Sequence, residues 1–269
     1  NTKMDTLTLK ARNELQRDQD IRIAVALDQI DPVEYFADRD ILTIDQAKFR
    51  KTANENYFQV GLTLSPWRES GEYNLCPFAS PGCRASCLNT TYRLAYRPNV
   101  RARVLRTQLL MTNRAKFLEY VARDLAAVRK TVHKAGRILV VRWNTLSDIN
   151  AETVYKPIWN DLDGYVDYTK NAARYQSWLD GKLPSNYHLT FSRSENNQEQ
   201  AESFVAQGGT ATVVVRSEAF KAEMLANGWN GFPCVDGDIS DRRWEDPKGH
   251  WVVLVAKGKA KSDRSGFVV

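Results

Sequence analysis

Four cysteines stand in the chain, and three of them, Cys76, Cys83 and Cys87, fall within 12 residues in the pattern C-x6-C-x3-C. Thiols at that density, with no secretory pattern ahead of them, point to a metal rather than to a disulfide framework. Tetrahedral zinc favours C-x2-C knuckles; neither spacing supplies one, although Cys234 could add a fourth thiolate. A compact loop of three cysteines suits a [4Fe–4S] cluster whose fourth iron is open to another ligand or to substrate. Pro77, Pro81 and Gly82 are expected to prevent a helix in the loop and turn its backbone around the cluster, with Leu75, Phe78 and Leu88 placed to exclude water. The readings rank as iron–sulfur, then zinc, then buried inert thiols.

The pattern along the rest of the chain says what must hold that loop. From Tyr57 onward, short apolar runs alternate with helical stretches. The runs are 58–64, 138–143, 165–168, 187–191, 210–215, 233–235 and 251–256, and the helices between them 100–111, 114–133, 151–159, 172–180, 196–206 and 217–226. Such alternation implies parallel strands joined by right-handed crossovers. About seven βα steps in this length suit an α/β fold built as a complete or partial (β/α) barrel, with an open doubly wound sheet as the competitor. Residues 56–269 form the barrel-like domain in this reading, and residues 1–55, with an imperfect apolar stripe broken at Asp31-Pro32, form an N-terminal helical extension. No phosphate-binding glycine motif follows any run.

Chemistry in such a barrel sits at the carboxyl ends of the strands. There the sequence places the cysteine loop, then Asn144, Ser147 and Asp148, then Lys170, Arg193, Arg216, Asp236 and Lys257. Lys170, Asp148 and Arg193 are the candidate catalytic groups, and Asn144, Ser147, Arg216, Asp236 and Lys257 the candidate cofactor-binding groups. Asp148, Ser194 and Ser217 also suit helix N-caps. Asp236, Asp238 and Asp241 offer oxygen ligands to a divalent cation or, more simply, a turn. His133 is expected to end a helix, and His188 and His250 begin strands at the far end from this mouth.

A three-cysteine loop directly after the first strand of a (β/α) barrel resembles the arrangement in radical S-adenosylmethionine enzymes. The spacing departs from that family's C-x3-C-x2-C, and residues 144–148 stand where the family's Gly-Gly-Glu segment binds the methionine amine. A closer likeness runs from about Leu62 to the C-terminus. Leu64-Ser65-Pro66, Asn74-Leu75-Cys76-Pro77, Pro81-Gly82-Cys83, Cys87-Leu88-Asn89, Asp167-Tyr168-Thr169-Lys170-Asn171, the run Tyr187 to Ser194, Asp236-Gly237-Asp238 and the tail from Lys257 to Val268 resemble the bacteriophage gene product 88 family. That resemblance implies a phage protein with Cys76, Cys83 and Cys87 as the metal ligands and Cys234 outside the motif, and it implies no particular reaction.

Charge supplies the alternative. The chain carries a formal +6, and residues 89–137 alone hold 12 Lys and Arg against two acids. Arg93, Arg97, Arg101, Arg103 and Arg106, interleaved with Tyr92 and Tyr96, could stack on and neutralise nucleic acid. Two function classes follow. One is an enzyme whose cluster acts on a small or nucleotide-like substrate, by radical S-adenosylmethionine or Lewis-acid chemistry. The other is a nucleic-acid-binding or host-interaction protein with a purely structural iron–sulfur or zinc site. No apolar run approaches the ~20 residues that span a bilayer, so the expected place is the cytoplasm of an infected bacterial host.

Overall fold

A computed structural model describes residues 30–44 and 47–269. Most of the expected N-terminal extension lies outside the described residues; within them it contributes two short helices, α1 (Pro32–Ala37) and α2 (Ala47–Thr52). There follow β1 (Tyr57–Gly61), α3 (Pro81–Ala85), α4 (Arg97–Thr112), α5 (Arg114–Lys134), β2 (Ile138–Arg142), α6 (Ala151–Val154), β3 (Gly164–Thr169) and α7 (Ala172–Leu179). The chain ends with β4 (Tyr187–Ser192), α8 (Gln198–Ala206), β5 (Thr210–Val215), α9 (Glu218–Asn227), β6 (Cys234–Asp236) and β7 (His250–Val255). No described helix is long and apolar enough to cross a membrane.

All seven strands are parallel, in the order β1-β2-β3-β4-β5-β7-β6. The sheet is open, with β1 and β6 at its edges, so a complete barrel is not what the chain forms. The last two strands exchange the places that chain order would give them. β6 is only three residues long and takes the edge, while β7, six residues of His-Trp-Val-Val-Leu-Val, pairs along the whole of β5. A longer apolar strand gains more by two-sided burial, which decides the exchange.

The exchange has a topological consequence. β1 to β5 step in one direction, whereas β6 to β7 steps back, so a right-handed crossover for that step must run over the opposite face of the sheet. Residues 237–249 do lie there: Trp244 meets Tyr57 at the start of β1, with ring centroids 5.1 Å apart, and Arg242 donates to the carbonyls of Lys51 and Thr52. Helix α2 shares this face. A Cβ on Gly61 would sit 2.4 Å from Phe49 Cζ, so only glycine lets α2 approach β1.

Side-chain alternation divides the strands between these two layers. Val60, Leu139, Val141, Tyr165, Leu189, Phe191, Val213 and Trp251 face the helices and form the main apolar core. Trp143 anchors it, stacked 3.9 Å from Tyr155 and 5.7 Å from Tyr165. The alternate residues Gln59, Arg142, Thr190 and Thr212 are equally buried but polar.

Ser217 caps α9 by accepting from Phe220 N at 3.1 Å, as expected. Asp148 and Ser194 do not cap helices: the residues before α6 and α8 are Asn150 and Asn197. Pro81 opens the five-residue helix α3 instead of preventing one, because a first-turn proline gives up no hydrogen bond.

Candidate functional site

The cysteine loop is fixed by its own polar residues and by one distant acid. Asn74 Oδ1 accepts from Cys76 N at 2.9 Å, and Ser80 Oγ caps α3 by accepting from Cys83 N at 3.1 Å. Glu195, beyond β4, holds the start of α3 with both oxygens, accepting from Ser80 Oγ and from Gly82 N at 2.7 Å each. The C-terminal tail closes over the same turn, and a Cβ on Gly82 would meet Ser265 Oγ at 2.1 Å.

All three cysteines line one cleft of about 1110 Å³ with Trp67, Glu69 and Arg84, beyond the carboxyl end of β1. Cys234 is not among its lining residues; it lies on β6, at the other edge of the sheet. Burial above all, with smaller contributions from the neighbouring Cys87, Asp148 and Cys83, pushes the Cys76 thiol up to about 12. Cys87 rises to about 11, again chiefly by burial and then by Cys83. A bound cation would reverse both shifts by favouring the thiolate.

Among the described residues, no three His, Cys, Asp or Glu side chains converge as they would on a single ion. A lone zinc, with sulfurs near 2.3 Å from one centre, needs that convergence. A cubane cluster instead bonds each thiolate to a different iron, so its ligands need not converge on one point.

Sequence reasoning missed other parts of the cleft lining. Trp67 has φ 50°, and the Arg84 guanidinium lies 3.6 Å from its ring centroid. Glu69, also in the lining, forms a buried pair with Arg103, joined by Asn89 Nδ2 donating to Glu69 at 3.0 Å. Local spacing offers no sign of a pair 34 residues apart. The positive-φ tryptophan is the one unusual backbone position in the cleft, of a kind that gathers at sites.

The strand-end candidates fall into three groups. Nearest the cysteines is the β2–β3 group: Asp148 N donates to Leu75 O at 2.8 Å, and Cys76 Sγ reaches Leu146 O at 3.5 Å. Asp148 accepts from Thr169 Oγ1 at 2.7 Å and from Lys170 N at 2.8 Å; burial outweighs these contacts and raises its carboxyl above the usual range. Lys170 Nζ donates to Ser192 Oγ at 2.6 Å. Asn144 and Ser147 bond to each other at 2.9 Å, and Asn144 also binds Asp167.

The second group holds the tail. Arg193 donates to the carbonyls of Gly266 and Phe267, and Arg216 to that of Asp263. The third lies at the other end of the sheet, where Lys257 pairs with Asp238 at 2.8 Å and Lys221 with Asp236 at 3.2 Å. Lys221 thus supplies the cation that Asp236 and Asp238 would have sought in a metal, and the turn reading of this motif suffices.

Two cations of the basic segment are internal, and most of the others are exposed. Arg103 and Arg106 are buried, bonded to Glu69 and to Ile41 O, because α4 packs both inward; they offer no surface to nucleic acid. Arg123 donates to the carbonyls of Phe36 and Ala37 at the end of α1 and of Arg39 beyond it, and Arg129 pairs with Asp163 at 2.6 Å.

The family model for Gene product 88 matches residues 40–269, from before α2 to the last residue. The chain belongs to this bacteriophage family. The gene product 88 match begins some 20 residues before the likeness legible in the sequence, and takes in α2 and the Thr43 strand bridge to Gly61. No curated protein and no solved structure matches the chain.

Proposed function

We propose that this gene product 88 protein is an iron–sulfur protein, with a [4Fe–4S] cluster held by Cys76, Cys83 and Cys87 and one iron open toward the cleft. The observation that carries the reading is the gathering of these three thiols, without Cys234, on the wall of a single cleft at the carboxyl ends of β1 and β2. Such a cluster supplies electron transfer or a Lewis-acidic iron. S-adenosylmethionine is one candidate for the open iron and a small or nucleotide-like substrate another.

The chain's own residues would do the rest. Asp148 and the Leu146 carbonyl hold the loop against β2, Glu195 sets the start of α3, and Arg84 on Trp67 gives the cleft a flat cationic wall. The one-directional run from β1 to β5, with segment 237–249 on the sheet face away from the main helices, supports a partial (β/α) barrel as the finer description of the fold. The cytoplasm of an infected cell is the location that goes with this reading.

Anaerobic purification of Cys76→Ser, Cys83→Ser, Cys87→Ser and Cys234→Ser tests it. The first three should lose the broad visible absorption of a cluster, and Cys234→Ser should keep it. Metal loss in Cys234→Ser would instead favour a closed, structural site. That outcome would turn attention to nucleic acid, for which Tyr92 and Tyr96, 77 % and 61 % exposed, stand beside exposed Arg93 and Arg97.

A further inference from the structure

The sheet face turned away from the main helices carries buried polar groups that the cysteine cleft does not use. Arg142, the last residue of β2, is 5 % exposed. Its Cζ lies 4.6 Å from the centroid of the Tyr168 ring, and its Nε has no hydrogen-bond partner. Among the described residues no carboxylate lies within ion-pair distance of it.

Other buried guanidinia each have at least one anionic or carbonyl partner. Arg103 has Glu69, Arg106 has Ile41 O, Arg174 has Glu152 and Arg243 has Asp246 at 3.2 Å. Arg142 acts electrostatically on the buried Asp167 without forming an ion pair with it; a buried cation so incompletely compensated costs several kcal/mol, which calls for a ligand. On the same face Arg243 Nη1, Thr190 Oγ1 and His188 Nε2 are also buried and unpartnered. Arg142 and Arg243 both act electrostatically on Tyr168, as does Asp241, which forms no ion pair among the described residues. Asp246 is already engaged by Arg243. A planar fork of N–H donors suits an oxyanion.

We propose that the polar face of the sheet binds a small oxyanion at Arg142, with Arg243 and Thr190 as further donors. The site is separate from the cysteine cleft and does not depend on the iron–sulfur reading. The anion is either free or the phosphoryl or carboxylate group of a larger molecule.

Thermal unfolding and isothermal titration with inorganic phosphate and with acetate, against chloride at equal ionic strength, test the site. At about ten times its Kd, the preferred anion should raise the melting midpoint by about 3 to 6 °C. Saturation by phosphate alone identifies a phosphoryl site, and by acetate alone a carboxylate site. Arg142→Met should abolish the effect, and Lys130→Met, on the surface, should keep it. Should Arg142→Met not fold, Arg142→Lys, which keeps the charge and loses the fork, should weaken binding at least tenfold. The proposal is overturned if neither anion gives a saturable effect on the wild-type protein, or if the effect survives unchanged in the Arg142 variants.

Discussion

Glu69→Gln tests whether the lining of the cysteine cleft is held by charge. The substitution keeps the shape of the side chain and removes the counter-ion of Arg103, with the two side chains 8 % and 1 % exposed. Breaking a buried pair of this kind costs about 3–5 kcal/mol, because the remaining charge is left uncompensated. Arg103 retains the carbonyls of Leu94 and Asn89 as acceptors, which places the loss near the lower end, about 3 kcal/mol. In a chain of this size that is roughly a 6 to 12 °C fall in Tm. Urea unfolding followed by tryptophan fluorescence measures it. The companion variant Glu69→Leu/Arg103→Met removes both charges and should recover most of the loss, since an apolar replacement of a buried pair is often neutral. A loss below about 1 kcal/mol in Glu69→Gln, or a double variant no more stable than the single one, would refute the reasoning.

Three further outcomes follow from particular residues. Burial, and then the charge of Arg243, lowers His188 to about 4, so the unfolded chain takes up its proton first and stability is lost as pH falls from about 6.5 toward 4. His188→Phe should flatten that part of the acid unfolding curve relative to wild type, and an unchanged slope counts against the assignment. Gly82→Ala should cost about 1–3 kcal/mol by driving Ser265 and the tail off α3, seen as faster proteolysis of the C-terminal residues; unaltered cleavage would mean that the tail gives way freely. Metal-free protein at pH 8 should alkylate slowly at Cys76 and Cys87, whose thiols are held protonated by burial; rapid labelling at both would contradict their placement.

The regular elements were legible because their signals are local. Thr210–Val215 is a strand over the very residues its apolar run marks, and Ser217 caps the helix that follows. The exchange of β6 and β7 was not legible, since it depends on which strand buries more surface and not on any motif. The same limit applied to charge. Arg103 and Arg106 look in sequence like part of a basic face, but their partners, Glu69 and the Ile41 carbonyl, lie 34 and 65 residues away. Of the candidate site, the three cysteines could be named from spacing. Their common cleft, the Arg84–Trp67 stack and the division of the strand-end polar residues into three groups required the tertiary structure.

The central claim is the cluster, and its most direct measurement is the iron, acid-labile sulfide and zinc content of protein purified without oxygen. A [4Fe–4S] cluster on Cys76, Cys83 and Cys87 predicts about four irons and about four sulfides per chain, and little zinc. One zinc without sulfide, or no metal after anaerobic reconstitution with iron and sulfide, would contradict it.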